Sequence, residues 1–537
     1  MLTVDPDKLP RWLRLTAVLL GVLVPGSGCA NILVVPVDGS HWINMKVLLE
    51  ELRARGHSLS VLHTSTSHYI KEDPSLYRSF IVPMDGKLGI VEDRQMVSNL
   101  VVETLETFRN GYTPMAFLRN NLNMRRIVYE THQCTQRFIV QLFEDRRLMG
   151  ELEGAGFHLL LTDPLYPTGS MLARHLKLLL VHNARWLTNG DCHHLLAPSP
   201  PSYVPVVGSW LTDTMSFSQR LSNTIQHFMT IILVASMVEG NYQELCRRYL
   251  GPGTGLREVI LAADLWLIRV DFVLEFPRPT IPSMVYMGGF QCRPASPLDP
   301  ELEAFVQGSG EHGVVLLSLG TLVTTLPDWM AETIAVSLSR LPQRVVWRHV
   351  GPVPKGVGNN TLVMGWIPQN DLLGHPKVVA FISHGGTNGL YEAIYHGVPV
   401  VGLPLIFDQF DNLVRLEARG AAKVLDTTTL RAGQLEEAVR EVTSTPGYRR
   451  SMHRLSALHR DQPQHPLQRA IYWLEFVLQH GGAPHLRPAS FDLPWYIYHG
   501  LDVMAFLGAL ASTAALLGLL LLRCVYQALR GRKEKND

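Results

Sequence analysis

The sequence predicts an α/β chain with two facing, doubly wound, Rossmann-like domains and one C-terminal transmembrane helix. Three observations predict it. Near the start, NILVVPV, a helical segment and HSLSVLHT make a strand–helix–strand opening, which implies parallel pairing. A second alternation of short apolar runs and helical segments begins at VVLLSLG and reads as another doubly wound domain. Near the end, Val503 to Leu522 are twenty uncharged residues, enough to cross a bilayer once.

The elements follow from the N-terminus. Lys8, Arg11 and Arg14 precede the apolar run LTAVLLGVLV and the string PGSGCA. A basic flank, a short apolar core and small residues predict a signal peptide over residues 1–30, cleaved near Ala30. An uncleaved anchor is the alternative, against which the shortness of the run argues. The first α/β domain is placed at 31–285. After NILVVPV come DGSHW and WINMKVLLEELRARG, whose apolar residues recur at helical spacing. HSLSVLHT, LLLTDP and LKLLLVHN supply further strands. Between and after them lies a less regular stretch rich in Phe, Met and Leu, suited to an apolar cleft. EFPRPTIPSM (275–284) and CRPASPLDP (292–300) are proline-rich and mark a linker zone, with the linker at 286–298.

The second domain is placed at 299–460. Its strands are VVLLSLG, RVVWRHV, TLVMGW, VVAFISHGG, VVGLPL and AAKVLD, with helices around DWMAETIAVSLSRLP and from Arg431. Return helices and a membrane-proximal segment fill 461–502, the span 503–522, and a basic tail 523–537. Arg523, Arg530, Arg532, Lys533 and Lys535 follow the span. Positive charge marks the cytoplasmic side, so the body of the protein is lumenal.

Composition excludes several classes. At 537 residues the chain can bury two cores. Hydrophobic residues are 46% and charged residues 18%, which is globular rather than disordered. A net charge of +1 gives no electrostatic footprint for nucleic acid. Cys134, Cys192, Cys246 and Cys292 are widely spaced with no CxxC, so a zinc site is not expected. An oxidising compartment would permit disulfides, but spacing leaves their pairing open. One glycosylation sequon, Asn359-Asn360-Thr361, fits lumenal exposure.

The stretch carrying chemistry is FISHGGTNGLYEAIYHGVPVVGLPLIFDQFDN, Phe381 to Asn412. A strand ends at Ser383, His384-Gly385-Gly386 is a turn, and Thr387 begins a helix. Ligands bind beyond the carboxyl ends of parallel strands. Glycines let backbone amides approach a ligand, and a helix N-terminus attracts phosphate. The turn therefore suits a diphosphate. Glu392, about a turn into the helix, could accept hydrogen bonds from ribose hydroxyls. Asp408-Gln409, after the next strand, could read sugar hydroxyls. Singly, each has a plainer reading: a tight turn, a packed histidine, a solvated glutamate. The combined spacing argues against all of these at once. GSGEHG (Gly308 to Gly313) matches a dinucleotide fingerprint in letters only, because it precedes its strand instead of following one.

In the first domain, His41 lies beyond the first strand, where Ser40 is expected to cap the helix and fix it. A histidine there suits proton abstraction, and Asp163 in LLLTDP ends another strand, where it could hold the other ring nitrogen. Plainer readings exist here too: Asp before Pro forms turns, and His41 could be a capping or core residue.

The opening stretch resembles the signature of the UDP-glycosyltransferases: His-x-Gly-x-x-Ser/Thr/Gly-x-x-acid, then Pro, two apolar residues, Pro, and acid-Gln. It is met at His384, Gly386, Gly389, Glu392, Pro399, Val400, Val401, Pro404, Asp408 and Gln409. WIPQNDLLGHP (366–376), GAPHLRPASFDLPWYIYHGLD (482–502), DGSHW (38–42) and the terminal anchor look like animal UDP-glucuronosyltransferases. The resemblance covers nearly the whole chain and implies a GT-B type fold.

It also implies roles. Trp366 would stack on uracil and Gln369 bind the nucleoside. His384, Thr387, Asn388 and Gly389 would hold the diphosphate and Glu392 the ribose, while Asp408 and Gln409 hold the sugar. Ser318 and Arg348 match further nucleotide-side positions, and Arg269 an arginine that would meet the glucuronate carboxylate. His41 and Asp163 match the catalytic dyad. UDP-glucuronic acid would be a co-substrate, with no permanently bound cofactor. No metal is expected: the only Asp-x-Asp is Asp5-Pro6-Asp7, inside the signal. The acceptor would be a small lipophilic phenol, steroid, bile acid or xenobiotic. Lys533 and Lys535 resemble a dilysine retention signal, implying a single-pass type I protein of the endoplasmic reticulum membrane, with self-association or pairing with relatives a further expectation. Two alternatives stay open: another UDP-hexose (glucose, xylose, galactose or N-acetylglucosamine), or a non-catalytic membrane partner of active relatives.

Overall fold

The computed structural model describes residues 29–86, 94–109, 111, 113–187, 190–234, 240–323 and 326–533. Nearly all of the expected signal segment, and Lys535, lie outside them. The chain divides into two units, Met1–Pro484 and His485–Asp537.

The first unit holds two parallel sheets. Its chain begins β1 (Asn31–Val35), α1 (Ser40–Ala54), β2 (Ser58–Thr64) and β3 (Arg78–Val82). Helices α2 (Arg94–Phe108), α3 (Pro114–Glu144) and α4 (Arg146–Gly154) lead to β4 (Leu159–Thr162). Then come α5 (Thr168–Leu176), β5 (Leu179–Ala184) and a two-stranded ribbon of β6 (Trp186–Leu187) and β7 (Gly190–Asp191). Helices α6 (Cys192–Leu196), α7 (Phe217–Val234), α8 (Gly240–Leu250) and α9 (Leu256–Leu261) precede β8 (Leu265–Ile268) and β9 (Met284–Tyr286). The sheet order is β3-β2-β1-β4-β5-β8-β9, parallel throughout.

The second sheet follows α10 (Pro300–Gln307). It contains β10 (Val314–Ser318), α11 (Asp328–Ser339), β11 (Arg344–Arg348), β12 (Thr361–Met364), α12 (Gln369–Leu373) and β13 (Val378–Ser383). It continues through α13 (Thr387–His396), β14 (Val400–Gly402), α14 (Gln409–Ala418), β15 (Ala422–Val424) and α15 (Ala432–Ser444). The order is β12-β11-β10-β13-β14-β15, again all parallel. Central strands such as LLLT and VVLLS are buried along their whole length, because helices cover both faces of a parallel sheet.

Two expectations need correction. The proline-rich segment 275–284 is no linker: it feeds β9, the last strand of the first sheet, and Trp266 N donates to Ser283 O at 2.9 Å. Nor is the Phe/Met/Leu-rich stretch irregular. It contains α3, 31 residues long, opened by Pro114 in the first turn and by the Thr113 hydroxyl, which accepts from Ala116 N at 3.1 Å. Its apolar positions are diluted by charged and amide side chains, which hid the helical period.

The last two helices of this unit are α16 (Pro446–Arg460) and α17 (Pro466–His480). α17 returns to the first sheet and packs against α1, β5, β8 and β9. It buries Ile471, Leu474 and Val477 there, and Arg55 donates to Glu475 at 2.9 Å.

The sheets join at Asp271, just after β8. Its N–H donates to the Tyr391 hydroxyl at 2.7 Å, and that hydroxyl lies 3.0 Å from Asp271 Oδ1. His459 Nδ1 lies 3.1 Å from the other oxygen. Gly288 and Gly289 let the chain pass this joint. A Cβ on Gly288 would stand 2.6 Å from the Tyr391 oxygen, and one on Gly289, at φ +69°, 2.4 Å from the His459 ring.

The second unit contains α18 (Trp495–Tyr498) and α19 (Leu501–Lys533). Residues Leu501–Gly531 are long and apolar enough to cross a membrane. At 33 residues the helix is about 50 Å long, more than the ~30 Å of a hydrocarbon core. Exposed Trp495, Tyr496 and Tyr498 precede it, the residue types that settle at membrane interfaces.

Tyr391→Phe tests the joint. It leaves the partly buried Asp271 N–H without its acceptor, which should cost about 1–3 kcal/mol, while the carboxylate keeps Val273 N at 3.1 Å and His459 Nδ1 at 3.1 Å. Denaturant or thermal unfolding of the variant measures it; unchanged stability would show the joint to be dispensable.

Candidate active site

Each sheet has one topological switch point, and the predicted residues gather at both. In the first sheet the order reverses between β1 and β4; the chain leaving these strands carries His41, in the first turn of α1, and Asp163. In the second it reverses between β10 and β13; those loops carry Ser318 to Gly320 and His384 to Gly386. Such crevices are where open α/β sheets bind ligands.

His41 Nδ1 and Asp163 Oδ2 are 2.6 Å apart, with the Asp163 side chain fully buried and His41 16% exposed. Leu165 N donates to the other Asp163 oxygen at 3.0 Å. Burial alone would raise the Asp163 carboxyl. The His41 and Arg269 charges outweigh it and hold the group below its usual range. Ser40 does not cap α1. The N-cap is Gly39 at φ +71°, with no side-chain capping bond. The Asp38 carboxylate takes the Gly39 amide at 2.7 Å and the Tyr69 amide at 3.0 Å instead. His41 is therefore fixed in the first turn of α1 by a glycine corner and a loop-binding aspartate.

Across the cleft, Gly385 adopts φ +90°, and a Cβ there would meet Gln409 O at 2.7 Å. The His384 ring packs between Gly320 and Gly386, where a Cβ on either would come within 2.6 Å of its Nε2. Desolvation there pushes the imidazole down to about 4, so it is neutral. Helix α13 starts at Thr387 with no side-chain cap, which leaves first-turn amides available to an anion. Gly389 is buried beside Phe381 and Gln369. Gln369 Nε2 donates to Glu392 Oε2 at 2.6 Å. Burial pushes Glu392 up to about 7, with the Gln369 bond opposing. Ser318 is buried at the end of β10. The Arg348 guanidinium donates to Gly320 O and lies 5.4 Å over the Trp366 ring, which is 61% exposed.

The Asp408-Gln409 corner follows Phe407, a non-glycine residue at φ +55°, a strained conformation of the kind that clusters at functional sites. Gln409 Oε1 accepts from Leu405 N and Ile406 N at 2.9 and 3.1 Å, closing the corner. Asp408 Oδ2 accepts from Asn412 at 3.0 Å and from Arg185 at 3.2 Å.

The sequence did not disclose the contacts of Arg269, which is buried, with Nη2 3.1 Å from Asp163 Oδ2 and 2.9 Å from His41 Nδ1. The sequence reading also missed three residues. Asn44 lies one turn beyond His41 and donates to Asn388 Oδ1 at 2.7 Å, joining the two domains. Asn412 binds Gly385 O, Asp408 and Arg185 together. Arg185 directly follows β5 and reaches across to Asp408. Helical spacing from His41 and Asp408 was available as a signal for the two asparagines; no local signal marks Arg185. Among the described residues, one cluster of metal-ligand types occurs, Asp191, Cys192 and His193. Arg278 already occupies its carboxylate at 2.9 Å, and burial pushes the thiol up, away from a metal-binding thiolate.

Two parallel sheets whose switch points meet, one presenting a histidine–carboxylate pair and the other an uncapped helix, define a GT-B glycosyltransferase. Solved structures agree on this fold. CalG4, the calicheamicin glycosyltransferase, aligns with a TM-score of 0.54 at 18% identity, covering 84% of this chain and 99% of that one. Phytolacca americana UGT2, solved with UDP-2fluoro-glucose and pterostilbene, aligns with 0.53 at 17%, covering 83% and 99%. Residues 30–536 match the family described as UDP-glucoronosyl and UDP-glucosyl transferase, and the chain belongs to that family. Full-length relatives include UDP-glucuronosyltransferase 2A1 of Mus musculus, 40% identical over 97% of this chain and 98% of its own. UDP-glucuronosyltransferase 2A2 of Homo sapiens is 38% identical over 99% and 98%. The protein is thus an enzyme of UDP-sugar glycosyl transfer.

Glu392 gives the site a measurable pH signature. Its folded-state value near 7 exceeds its ordinary value of 4.5, so the folded state holds the extra proton between them. Stability from this group therefore falls as pH rises from about 4.5 to 7, by a few kcal/mol in all. Glu392→Gln should raise the melting temperature at pH 8 and leave it nearly unchanged at pH 5. Equal effects at both pH values would show that Glu392 is ionised throughout.

Proposed function

We propose that this enzyme transfers glucuronic acid from UDP-glucuronic acid to a hydroxyl, or another nucleophile, of small lipophilic acceptors, with inversion. The observation that carries the mechanism is the 2.6 Å contact of His41 with Asp163, on a domain tied to the α13 turn by Asn44 and Asn388. The glucuronate assignment rests on the relatives' names. Acceptors would be phenols, steroids, bile acids or xenobiotics. The apolar helix with its basic tail favours a type I protein of the endoplasmic reticulum with both sheets lumenal. Asn359, exposed in the turn before β12, would then be open to glycosylation.

The chemistry follows from the geometry. Asp163 accepts the Nδ1 proton and leaves Nε2 free to take the acceptor's proton. The acceptor oxygen attacks the anomeric carbon while UDP departs from the opposite face, so an α-linked donor gives a β-glucuronide. Asp163 offsets the developing imidazolium charge. At the donor end, the free amides of α13 receive the diphosphate beside neutral His384, Thr387 and Asn388. Trp366 stacks on uracil, Ser318, Arg348 and Gln369 flank the nucleoside, and Glu392 takes the ribose. Asp408 and Gln409 hold the sugar. The second reading keeps the mechanism and changes the donor to a neutral UDP-hexose; the position of Arg269, turned to Asp163, favours it. A panel of UDP-sugars with one phenol acceptor separates the two.

His41→Ala should lose about 10²–10⁴ in turnover on a weakly acidic alcohol, about 2.7–5.5 kcal/mol in barrier, while still binding UDP. The loss should shrink with an acidic phenol, and Asp163→Asn should also impair turnover. Near-normal turnover of His41→Ala on the alcohol refutes the base, and an α-anomeric product refutes the single displacement.

Base–aromatic stacking contributes about 1–3 kcal/mol, so Trp366→Ala should raise the apparent donor constant about five- to 150-fold. The acceptor constant should stay put. A donor constant that does not move, in folded protein, removes Trp366 from the nucleotide site.

A further inference from the structure

We infer that Arg269 is a positioning residue for the base: it holds the Asp163 carboxylate as an ionised acceptor and thereby fixes which nitrogen of His41 carries the proton. The inference rests on the dyad proposed above. Arg269 Nη2, Asp163 Oδ2 and His41 Nδ1 form a closed triangle with sides of 3.1, 2.6 and 2.9 Å. Nδ1 cannot donate to Asp163 and accept from Arg269 at once. If it accepts, the ring proton sits on Nε2 and His41 cannot act as a base. If it donates to Asp163, Nε2 is free. The choice therefore turns on the charge of Asp163.

That charge is not secure by itself. The carboxylate is fully buried, and a desolvated carboxyl tends to take up a proton. A protonated Asp163 would donate to Nδ1 and put the histidine in its inactive tautomer. The groups facing Asp163 are few. His41 comes from α1. His182, from β5, is held neutral by burial, pushed down to about 3. Arg269 follows β8, and the Leu165 amide donates from the following turn. Arg185 and Asp408 lie behind Arg269 and act on it through space. Of these, Arg269 is the permanent cation in direct contact with the carboxylate. Its guanidinium does not deprotonate, so it favours the ionised acid at every working pH.

The test uses the full-length, membrane-bound enzyme with an aliphatic alcohol acceptor, and with UDP-glucuronic acid and UDP-glucose as donors. Arg269→Met and Arg269→Gln should lower kcat within the about 10²–10⁴ range of a general base, with the donor KM little changed. Without the cation Asp163 ionises at higher pH, so the acidic limb of the pH–rate profile should move up and activity should partly return as pH rises. Arg269→Lys, which keeps the charge, should keep the limb close to its original position and should remain testable if the neutral variants misfold. Because the two residues act as a unit, Asp163→Asn combined with Arg269→Met should be little worse than the worse single variant. An unmoved limb and an unchanged kcat in the neutral variants overturn the inference. So does a KM raised for UDP-glucuronic acid alone, which would make Arg269 the reader of the donor's carboxylate. If His41→Ala and Asp163→Asn keep full rate, the dyad itself fails; if they lose rate while Arg269→Met does not, only the role of Arg269 fails.

Discussion

The contact between Tyr391 and Asp271 is the constraint on which the cleft depends. Tyr391 lies on α13, whose first turn is the candidate diphosphate site, while Asp271 lies two residues beyond Arg269, which touches the His41–Asp163 pair. One helix thus holds the candidate diphosphate amides at its tip and grips the first domain from its middle. Asn388 on the same helix meets Asn44 on α1, one turn from His41. The separation of the His41–Asp163 pair from the α13 turn is set by a single element with contacts in each domain, rather than by the linker. The glycines at 288 and 289 matter because they let the chain run past that joint.

A second set of contacts stiffens the seam beside the Asp408–Gln409 corner. Arg185 bridges Glu275 of its own domain to Asp408 of the other, and Arg415 closes on Glu275 from the opposite side at 3.0 Å. Burial works against the Glu275 charge, yet Arg415 and Arg185 hold it down at about 2. Asp411 receives the Gly208 and Trp210 amides at 2.8 and 3.1 Å. Buried charges of this kind add little net stability, but losing one member strands its partner. Their effect is to fix register between the domains, which the proposed reaction, assembled from both sides, would require.

How much of this the sequence disclosed depends on the range of the interaction. The βαβ rhythm was legible because strands buried on both faces are continuous apolar runs. The turn after β13 was legible because paired glycines, a helix start and an acid lie within ten residues. His41 and Asp163 could be named because each follows a strand, although only the sheet order shows that they flank one switch point. The position of Arg269 was not legible: its partners are 106 and 228 residues away, and an arginine after a strand suits a ligand as well as an internal carboxylate. Arg185, whose partner is 223 residues distant, left no trace. The Gly39 corner was misassigned to Ser40 because a serine at that spacing is the commoner cap.

The return of α17 to the first sheet has a consequence for biosynthesis. The first sheet has all its strands once β9 has been made, but the face that receives Ile471, Leu474 and Val477 waits for a helix roughly 180 residues further on. At a translation rate of about 5–20 residues per second, that wait is roughly 10–40 s. Throughout it the nascent first domain carries an uncovered apolar surface while the second domain is still emerging. The N-terminal half therefore cannot complete its folding as an independent module during synthesis. A chain cut anywhere between β9 and α17 would retain the residues of the candidate base and lack the helix that seals the domain bearing them.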